Sequence, residues 1–386
     1  DGSRSKSNIG SSCLFSSFSF YDGIRSSNGG FVLGTISNGV VYLDAKGEFL
    51  NQVSQANGLL NNTVLSIFED TDNNIWLGLD NGLGYVNTNS PFKVFNDNRG
   101  VLGSVYAAAQ QFGNLYLGTN QGLFYKPHNS FGEFRMIPGT KGQVWNLKTI
   151  DNVLFCAHHS GTFIVNDKVV EKVANVEGTW DITAIDGKPN LLLQGNYDGL
   201  YLLQKNANNK WQLKHKIKGF DNSSRYFQVL DTTILVNHEY NGVFKLTVDS
   251  SFQAVKSFSK NTEIKGANSG LIKYRGKVLY GYDKGVLAYQ ETTGRFLRDS
   301  LLSQLYEASD YESGKLNYTP GENILWAFKK SGIAYMAYEP LTNTPVIKEI
   351  PLNKNVRKAV LGYESMLGLG DNKYLAGTTS GYLITD

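Results

Sequence analysis

The sequence predicts an all-β fold built from many short strands joined by tight turns. Three observations support this prediction. Glycine accounts for 41 of the 386 residues while proline accounts for only 8, and 12% of the residues are aromatic. A short hairpin-like pattern recurs along the whole chain, and no stretch shows the periodicity and caps of a long amphipathic helix. Abundant turn residues between short apolar runs are typical of strands rather than helices.

The hairpin pattern is clearest in residues 74–87, which read NIWLGLDNGLGYVN. Residues 75–79 predict one strand, and residues 83–86 begin a second. Between them, Asp80, Asn81 and Gly82 predict a tight turn. Asparagine or aspartate followed by glycine suits a short hairpin loop, because such a loop needs positive φ angles at little steric cost.

The turn glycine of this hairpin recurs along the chain. Its nine occurrences, at intervals of 38 to 49 residues, are Gly39, Gly82, Gly122, Gly161, Gly199, Gly242, Gly285, Gly332 and Gly381. A strand-like run precedes each hairpin, as at residues 64–68, and a weaker run follows many of them, as at residues 92–95. Four strands in about 40 residues form one blade of a β-propeller, and blades stack around an axis because none can bury both faces alone. We therefore predict a β-propeller of about four-stranded blades. A parallel β-helix is the main alternative, but its coils are shorter than these intervals.

The number of copies leaves two arrangements open, because rings usually contain four to eight blades. The last copy lacks its fourth strand, which residues 13–20 could supply to close a single ring of eight to nine blades. Alternatively, some copies belong to a neighbouring ring. The chain begins without methionine and ends just inside a strand pattern, so we expect it to be a fragment of a longer protein.

Charge and cysteine content exclude several classes of protein. The formal net charge of +3 is small and the basic residues are scattered, so we expect no nucleic-acid binding by this chain. No apolar run approaches the roughly 18 residues of a membrane span. The two cysteines, Cys13 and Cys156, do not make a disulfide framework. We expect Cys156 to be a small buried residue within an apolar strand.

The second copy carries a recognisable motif. Residues 58–70 read GLLNNTVLSIFED, and the chain continues through the hairpin of residues 74–87 to SPF at residues 90–92. This stretch resembles the two-component regulator propeller repeat of Bacteroidetes sensor proteins. The similarity is dense over some 35 residues, looser in the third copy (LYLGTNQGLFY), and degenerate afterwards, although the spacing persists.

The resemblance implies a function and a location. Such propellers form the periplasmic part of inner-membrane regulators, either hybrid two-component sensors or regulators with a triple-tyrosine domain and a LuxR-type DNA-binding domain. The uninterrupted run from GTISNGVVYLD onward is more similar to the second form. Both forms typically sense oligosaccharides and control genes for using them, so the resemblance implies a ligand-sensing module of a homodimeric receptor, without enzymatic activity or a cofactor in this part.

The resemblance also implies two consecutive seven-bladed propellers. Residues 1–29 would then be an N-terminal segment, residues 30–102 would form the last two blades of one ring, and residues 103–386 would form a complete ring.

The loop that feeds the first strand of each blade opens at one mouth of the central channel, and ligands usually bind where polar groups converge in such concave places. The basic and aromatic residues that we predict to bind the ligand there are Lys141, Trp145, Trp180, Arg225, Tyr226, Lys315 and Arg357. Arg99, Lys265 and Tyr106 lie in equivalent places, and one blade carries Glu177 instead of a base. Aromatic faces stack on sugar rings and basic groups pair with carboxylate or sulfate, which predicts an acidic oligosaccharide. The alternative is that these are ordinary surface lysines and inter-blade tryptophans.

Two further functions compete with a sensor. A propeller-fold polysaccharide lyase or glycoside hydrolase would need carboxylates, or histidine and tyrosine, to converge at the axis; the first residues to check are His158, Glu177, His238 and Tyr240. An interaction scaffold would bind its partners on the blade edges.

No sequence pattern predicts a metal site. His158 and His159 are adjacent in a predicted strand, so we expect their side chains to point to opposite faces. Residues 70–74 imitate the start of a calcium loop, but Ile75 occupies the place of the required glycine, so we predict a turn between two strands.

Overall fold

The computed structural model describes residues 18–56, 58–128, 133–352, 356, 358 and 360–385. These residues form antiparallel sheets, and a short 3₁₀ helix spans Leu302–Leu305. The described part of the chain contains no helix with the length and apolar character needed to cross a membrane. Two compact units are present, residues 1–101 with 385–386 and residues 102–384.

The first unit contains two sheets. Its strands are β1 (Phe20–Arg25), β2 (Phe31–Thr35), β3 (Val40–Leu43), β4 (Phe49–Val53), β5 (Val64–Glu69), β6 (Ile75–Leu79), β7 (Gly82–Val86) and β8 (Phe92–Asn96). Strands β1 to β4 form one sheet in chain order, and β5 to β7 form a second sheet that does not include β8. Val40, Val64 and Leu77 belong to the apolar cluster that both sheets bury.

The second unit contains the remaining strands. They are β9 (Val105–Gln111), β10 (Asn114–Thr119), β11 (Leu123–Pro127), β12 (Arg135–Met136), β13 (Val144–Ile150), β14 (Val153–His158), β15 (Gly161–Asn166), β16 (Val169–Ala174), β17 (Asp181–Ala184), β18 (Leu191–Asn196), β19 (Gly199–Lys205), β20 (Trp211–Lys216), β21 (Tyr226–Leu230), β22 (Thr233–His238), β23 (Gly242–Val248), β24 (Val255–Asn261), β25 (Gly270–Tyr274), β26 (Lys277–Tyr282), β27 (Gly285–Gln290), β28 (Arg295–Arg298), β29 (Asn317–Thr319), β30 (Ile324–Phe328), β31 (Gly332–Tyr338), β32 (Pro345–Pro351), β33 (Met366–Gly370), β34 (Lys373–Thr378) and β35 (Gly381–Thr385).

The sheets of the second unit follow one another around an axis. Each uses consecutive strands, from β9–β12 through β29–β32 to a last sheet that contains β33, β34 and β35. The first strands of neighbouring sheets contact one another: β9 contacts β13, and β29 contacts β33. Strand β9 also contacts β33 and β34 of the last sheet. The unit therefore closes on itself with the first strand of each sheet innermost, as in a β-propeller. The predicted fold class is confirmed, while the number of blades in a ring is still a prediction.

Several of the turn glycines are needed for more than a positive φ. Gly39, Gly161 and Gly242 have φ angles between 77° and 143°. A Cβ atom on any of them would also lie 2.0 to 2.3 Å from the carbonyl oxygen of a fourth-strand residue or its neighbour. Gly122 and Gly332 lack a positive φ, yet their Cβ atoms would lie 2.9 Å and 2.2 Å from carbonyl oxygens. At these five positions the close approach of the chain that follows the hairpin is therefore a reason for glycine in addition to the turn, whereas Gly82 has a positive φ and open space around it.

Both faces of the second strand of each sheet are covered in the second unit, which explains the mostly apolar sequences of these strands. Tyr116, Phe155 and Trp326 occupy equivalent positions in β10, β14 and β30, and each is at most 1% exposed. Cys156 is fully buried, as predicted.

The N-terminal segment is only partly described. Residues 1–17, which contain most of the suggested ring-closing segment, lie outside the described residues. Phe20 begins β1, which pairs with β2.

Candidate functional site

The second unit gathers five aromatic rings at one end of its innermost strands; we call them the aromatic mouth. They belong to Tyr106, Trp145, Trp180, Tyr197 and Tyr363. Tyr106 and Trp145 are the second residues of β9 and β13, and Trp180 directly precedes β17. Equivalent places in successive blades meet around the axis, so rings that are far apart in sequence lie side by side.

Stacking and one hydrogen bond order the rings. The ring centroid of Trp145 lies 5.5 Å from that of Tyr106, 5.4 Å from that of Tyr363 and 4.8 Å from that of Trp180. The indole N–H of Trp145 donates to the hydroxyl of Tyr197 over 3.0 Å. Spacings of 4.5 to 7 Å are those at which aromatic pairs attract one another. The mouth is therefore a preformed apolar surface with polar edges.

Arg225 connects the aromatic mouth to the loop that precedes the last sheet. Its guanidinium carbon lies 3.8 Å from the ring centroid of Tyr363, 4.9 Å from that of Tyr226 and 5.3 Å from that of Trp180. The guanidinium donates a hydrogen bond to the carbonyl of Gly362, and the hydroxyl of Tyr226 donates to the same carbonyl over 2.6 Å. Burial raises the pKa of Tyr226 well above its usual range, which keeps this hydroxyl available as a donor.

A cavity of about 280 Å³ opens beside Arg225. Its aromatic walls are Trp180, Tyr226, Tyr240 and Tyr363, and its polar groups come from Ser223, Arg225, Asn237, His238, Glu239, Asn268, Ser269 and the backbone of Gly362. The carboxylate of Glu239 accepts a hydrogen bond from the backbone N–H of Asn268 over 3.1 Å. The cavity therefore combines aromatic walls with convergent polar groups, as ligand sites usually do.

Charged side chains continue behind the mouth. Asp181 accepts hydrogen bonds from Asn146 over 2.8 Å and from Lys148 over 3.2 Å. Lys315 is half-buried, and burial together with the nearby Arg225 lowers its pKa to about 8. Glu364 is 1% exposed, and burial raises its pKa. Both signs of charge are therefore present near the channel.

The structure brings together four of the predicted ligand-binding residues. Trp145, Trp180, Arg225 and Tyr226 form one connected group, and Lys315 is close enough for Arg225 to lower its pKa.

The remaining basic residues from the predicted feeding loops are placed differently. Lys141 and Lys265 are exposed in their loops, and Arg99 belongs to the other unit. Arg357 lies outside the described residues. Whether any of these residues binds a ligand is still a prediction.

Sequence reasoning missed Tyr197, Glu239, Tyr363 and Glu364. Tyr363 and Glu364 lie in the loop before β33, from which only the basic Arg357 had been selected. Tyr197 and Glu239 lie in hairpin loops rather than in loops that feed a first strand. A search for aromatic and acidic residues in every loop at the same end of the blades would have found them.

The residues considered for catalysis fall into two places. His238 and Tyr240 line the cavity, whereas Glu177 is exposed and His158 is 1% exposed. The Nδ1 atom of His158 accepts hydrogen bonds from Ser160, and its Nε2 lies 3.3 Å from the carbonyl oxygen of Thr140. Burial lowers the pKa of His158 to about 4, so it is a neutral structural residue.

The prediction for the histidine pair was wrong. β14 ends at His158, and His159 lies in the following turn with its ring centroid 4.5 Å from that of His158. Side chains alternate between the two faces only within a strand, so this rule does not apply to His159. Even so, the described residues contain no group of three or more His, Cys, Asp or Glu side chains that could hold a metal ion. Residues 70–74 form the turn between β5 and β6, as predicted.

Comparison with known proteins supports the family resemblance. The family described as two component regulator propeller matches residues 58–81. The extracellular domain of the hybrid two component system BT3049 from B. thetaiotaomicron is similar in structure, with a TM-score of 0.62 and 12% identity over 95% of this chain and 51% of that chain. The extracellular domain of the one component system BT4673 from the same organism has a TM-score of 0.56 and 16% identity, over 95% of this chain and 52% of that chain.

The chain thus spans about half the length of these solved structures. No curated protein sequence is significantly similar to it. At such low identities the structural matches establish the fold. Together with the family match, they show that this chain resembles the propeller sensor region of Bacteroidetes two-component and related regulators.

Proposed function

We propose that this chain is a ligand-sensing propeller from the extracytoplasmic part of a transmembrane transcriptional regulator, and that its ligand is an oligosaccharide. The observation that carries the proposal is the aromatic mouth beside the cavity of about 280 Å³. The resemblance to the sensor regions of two component systems supports the signalling role and the periplasmic location.

The chemistry of the mouth suits a sugar better than a purely apolar ligand. The partly exposed rings of Trp145 and Trp180 offer apolar contact surfaces, and sugar rings present apolar C–H faces to such rings. Asn268, Ser269 and Glu239 offer polar groups around the adjoining cavity. A ligand with an apolar face and a rim of hydroxyl groups would satisfy both.

Signalling requires that the ligand favour one of two arrangements of the receptor, because it can shift an equilibrium only by its differential affinity for the two states. Arg225, Tyr226 and Tyr363 connect loops of different blades. Ligand contacts at these residues would change how firmly the blades hold together. We propose that such a change is read out by a homodimeric receptor and controls genes for glycan utilisation.

A thermal-shift screen tests the sensor proposal. Neutral and acidic oligosaccharides should be screened against the chain, since a ligand at 100 times its dissociation constant adds about 2.7 kcal/mol of stability. We expect a stabilising sugar whose effect is lost in Trp145→Ala and retained in Trp76→Ala, which changes a tryptophan of the other unit. Absence of any stabilising sugar, from protein that unfolds cooperatively, would contradict the proposal.

One observation favours a second candidate. His238, Glu239 and Tyr240 line the cavity together with Arg225, and histidine, tyrosine and arginine are groups that a polysaccharide lyase would use. Incubation with uronate polymers, followed by absorbance of the unsaturated product and assay of new reducing ends, separates the two functions. New ends that disappear in His238→Ala would establish an enzyme.

A further inference from the structure

Arg225 contributes a positive charge to the wall of the cavity. The residue is half-buried, and its guanidinium packs against the rings of Trp180, Tyr226 and Tyr363, with its carbon 3.8 Å from the ring centroid of Tyr363. Ring faces hold a guanidinium in place without using its N–H groups. The group is therefore preorganised, and little conformational freedom would be lost when a ligand binds to it.

Most N–H groups of this guanidinium have no acceptor in the described part of the chain. A guanidinium carries five N–H donors. One of those of Arg225 donates to the carbonyl of Gly362, and the described residues provide no other hydrogen bond to the group and no carboxylate within ion-pair distance of it. An acceptor supplied by a ligand would therefore meet a cation that no described residue neutralises.

Several other polar groups of the cavity wall are already paired. The side-chain amide of Asn237 donates to the carbonyl of Ser269 over 3.0 Å, and that of Asn268 donates to the carbonyl of Glu312 over 3.3 Å. The backbone N–H of Asn268 donates to the carboxylate of Glu239 over 3.1 Å. Among the described lining residues, the guanidinium therefore has the most unused donor capacity.

We propose that Arg225 binds the carboxylate of a uronic acid unit, so that the oligosaccharide recognised at this cavity is acidic. The inference rests on the proposed oligosaccharide function, and it names the class of sugar and the residue that selects it. The planar fork of an arginine matches the two oxygens of a carboxylate, and the pair is charge-assisted. An uncharged sugar of the same shape cannot form this pair.

Glu239 determines how a uronate would be oriented. Its carboxylate belongs to the same cavity wall, and it would repel a second carboxylate placed beside it. Sugar hydroxyl groups can donate to it instead. The carboxylate of the ligand therefore lies on the side of Arg225, and hydroxyl groups lie towards Glu239.

The inference narrows the basis of the acidic-ligand prediction made from the sequence. That prediction counted all the basic residues of the feeding loops. Lys141 and Lys315, which were among them, do not line the cavity. The preference for an acidic sugar should therefore depend on Arg225 and not on the sum of the basic residues.

Calorimetric titration with uronate trisaccharides and their methyl esters tests the inference. The probes are the α-1,4-galacturonate, β-1,4-mannuronate and β-1,4-glucuronate trimers, each compared with its fully methyl-esterified form, which keeps the sugar rings and removes the charge. We expect the wild-type protein to bind at least one trimer about tenfold or more tightly than its ester. This comparison uses the unaltered protein, so it does not depend on the folding of a variant.

Variants then assign the preference to a residue. Arg225→Gln should reduce it to about threefold or less, by weakening the binding of the uronate more than that of the ester. Glu239→Gln removes a like charge and should raise the preference. Arg295→Gln removes a positive charge at an exposed position of β28 and should leave it unchanged.

The outcomes separate this inference from the sensor proposal. A preference that persists in folded Arg225→Gln, or esters that bind to the wild type as tightly as the uronates do, would overturn the inference and leave the sensor proposal standing. Binding of neutral oligosaccharides alone would have the same meaning. If neither uronates, esters nor neutral oligosaccharides bind to protein that unfolds cooperatively, both proposals fail.

Discussion

The guanidinium carbon of Arg225 lies 3.8 Å from the ring centroid of Tyr363. The two residues belong to loops that precede the first strands of different blades, β21 and β33. The guanidinium packs on the aromatic face and also donates a hydrogen bond to the neighbouring carbonyl of Gly362. These two contacts hold the loops together. They link the packing of the propeller to its candidate ligand site.

Replacing Arg225 by lysine should weaken this link. Lysine keeps the charge but loses the planar group that stacks on the ring while donating to a carbonyl. We expect Arg225→Lys to lower the free energy of unfolding by about 1 kcal/mol, as measured by urea denaturation. Arg295→Lys, at an exposed position of β28, is the control and should change it by less than about 0.5 kcal/mol. Equal stability of the two variants would contradict the structural role of Arg225.

The hydroxyl of Tyr226 is a second element of the same junction. It donates to the carbonyl of Gly362 over 2.6 Å, and Tyr226→Phe leaves that carbonyl with one donor fewer. We expect a loss of about 1 kcal/mol in the free energy of unfolding. Tyr240→Phe removes a hydroxyl from a side chain that is 75% exposed and should be neutral. A neutral Tyr226→Phe variant would show that Arg225 alone holds the loop.

The repeated glycine can be tested at a position where φ and close approach separate. Gly332 has no positive φ, but its Cβ would lie 2.2 Å from the carbonyl oxygen of Ile350. Gly113 has a φ of 68° and open space around it. We expect Gly332→Ala to cost more than about 2 kcal/mol of stability and Gly113→Ala about 1 kcal/mol. The reverse order would mean that the turn conformation, and not the neighbouring chain, explains the repeat.

The hairpins of the fold could be predicted from the sequence, but the pairing of every strand could not. The spacing of Gly82, Gly161 and Gly242 located the hairpins, because two-residue and three-residue turns and alternating apolar runs are local features. The place of β8 could not be predicted from such local features. Because β8 follows β7 in the chain, we expected it to be the fourth strand of the same sheet, but that sheet contains only β5 to β7.

The site was predictable only in part, for a similar physical reason. Trp145 and Trp180 occupy equivalent places in successive repeats, so the repeat itself brought them together. Tyr363 and Glu364 come from a degenerate copy, and nothing local in the sequence marks their loop as the one that reaches Arg225. Their contribution depends on the closure of the unit through contacts of β9 with β33 and β34.

The buried His158 predicts a pH dependence of stability. Its pKa is about 4 in the folded chain against an ordinary value of 6.5. Between these values the unfolded chain binds a proton that the folded chain does not, so stability is present above pH 6.5 and is lost as the pH falls towards 4. The loss from this residue is about 2 to 3 kcal/mol between pH 7 and pH 4.5.

Urea denaturation at both pH values checks this expectation. The decrease in stability should be smaller in His158→Gln than in the wild type, by about 2 kcal/mol or more. His128→Gln, at an exposed position, should behave as the wild type does. An unchanged pH dependence in His158→Gln would mean that the histidine is not buried in its neutral form.

The central claim is that the ligand binds at the aromatic mouth, and intrinsic fluorescence tests it most directly. Trp145 and Trp180 belong to the mouth, whereas Trp76 lies in the other unit. A stabilising oligosaccharide from the thermal-shift screen should therefore change the tryptophan emission of the wild type and of Trp76→Phe in a saturable way. The change should be strongly reduced in the double variant Trp145→Phe with Trp180→Phe. A saturable change that survives in this double variant and disappears in Trp76→Phe would contradict the account and place the ligand elsewhere.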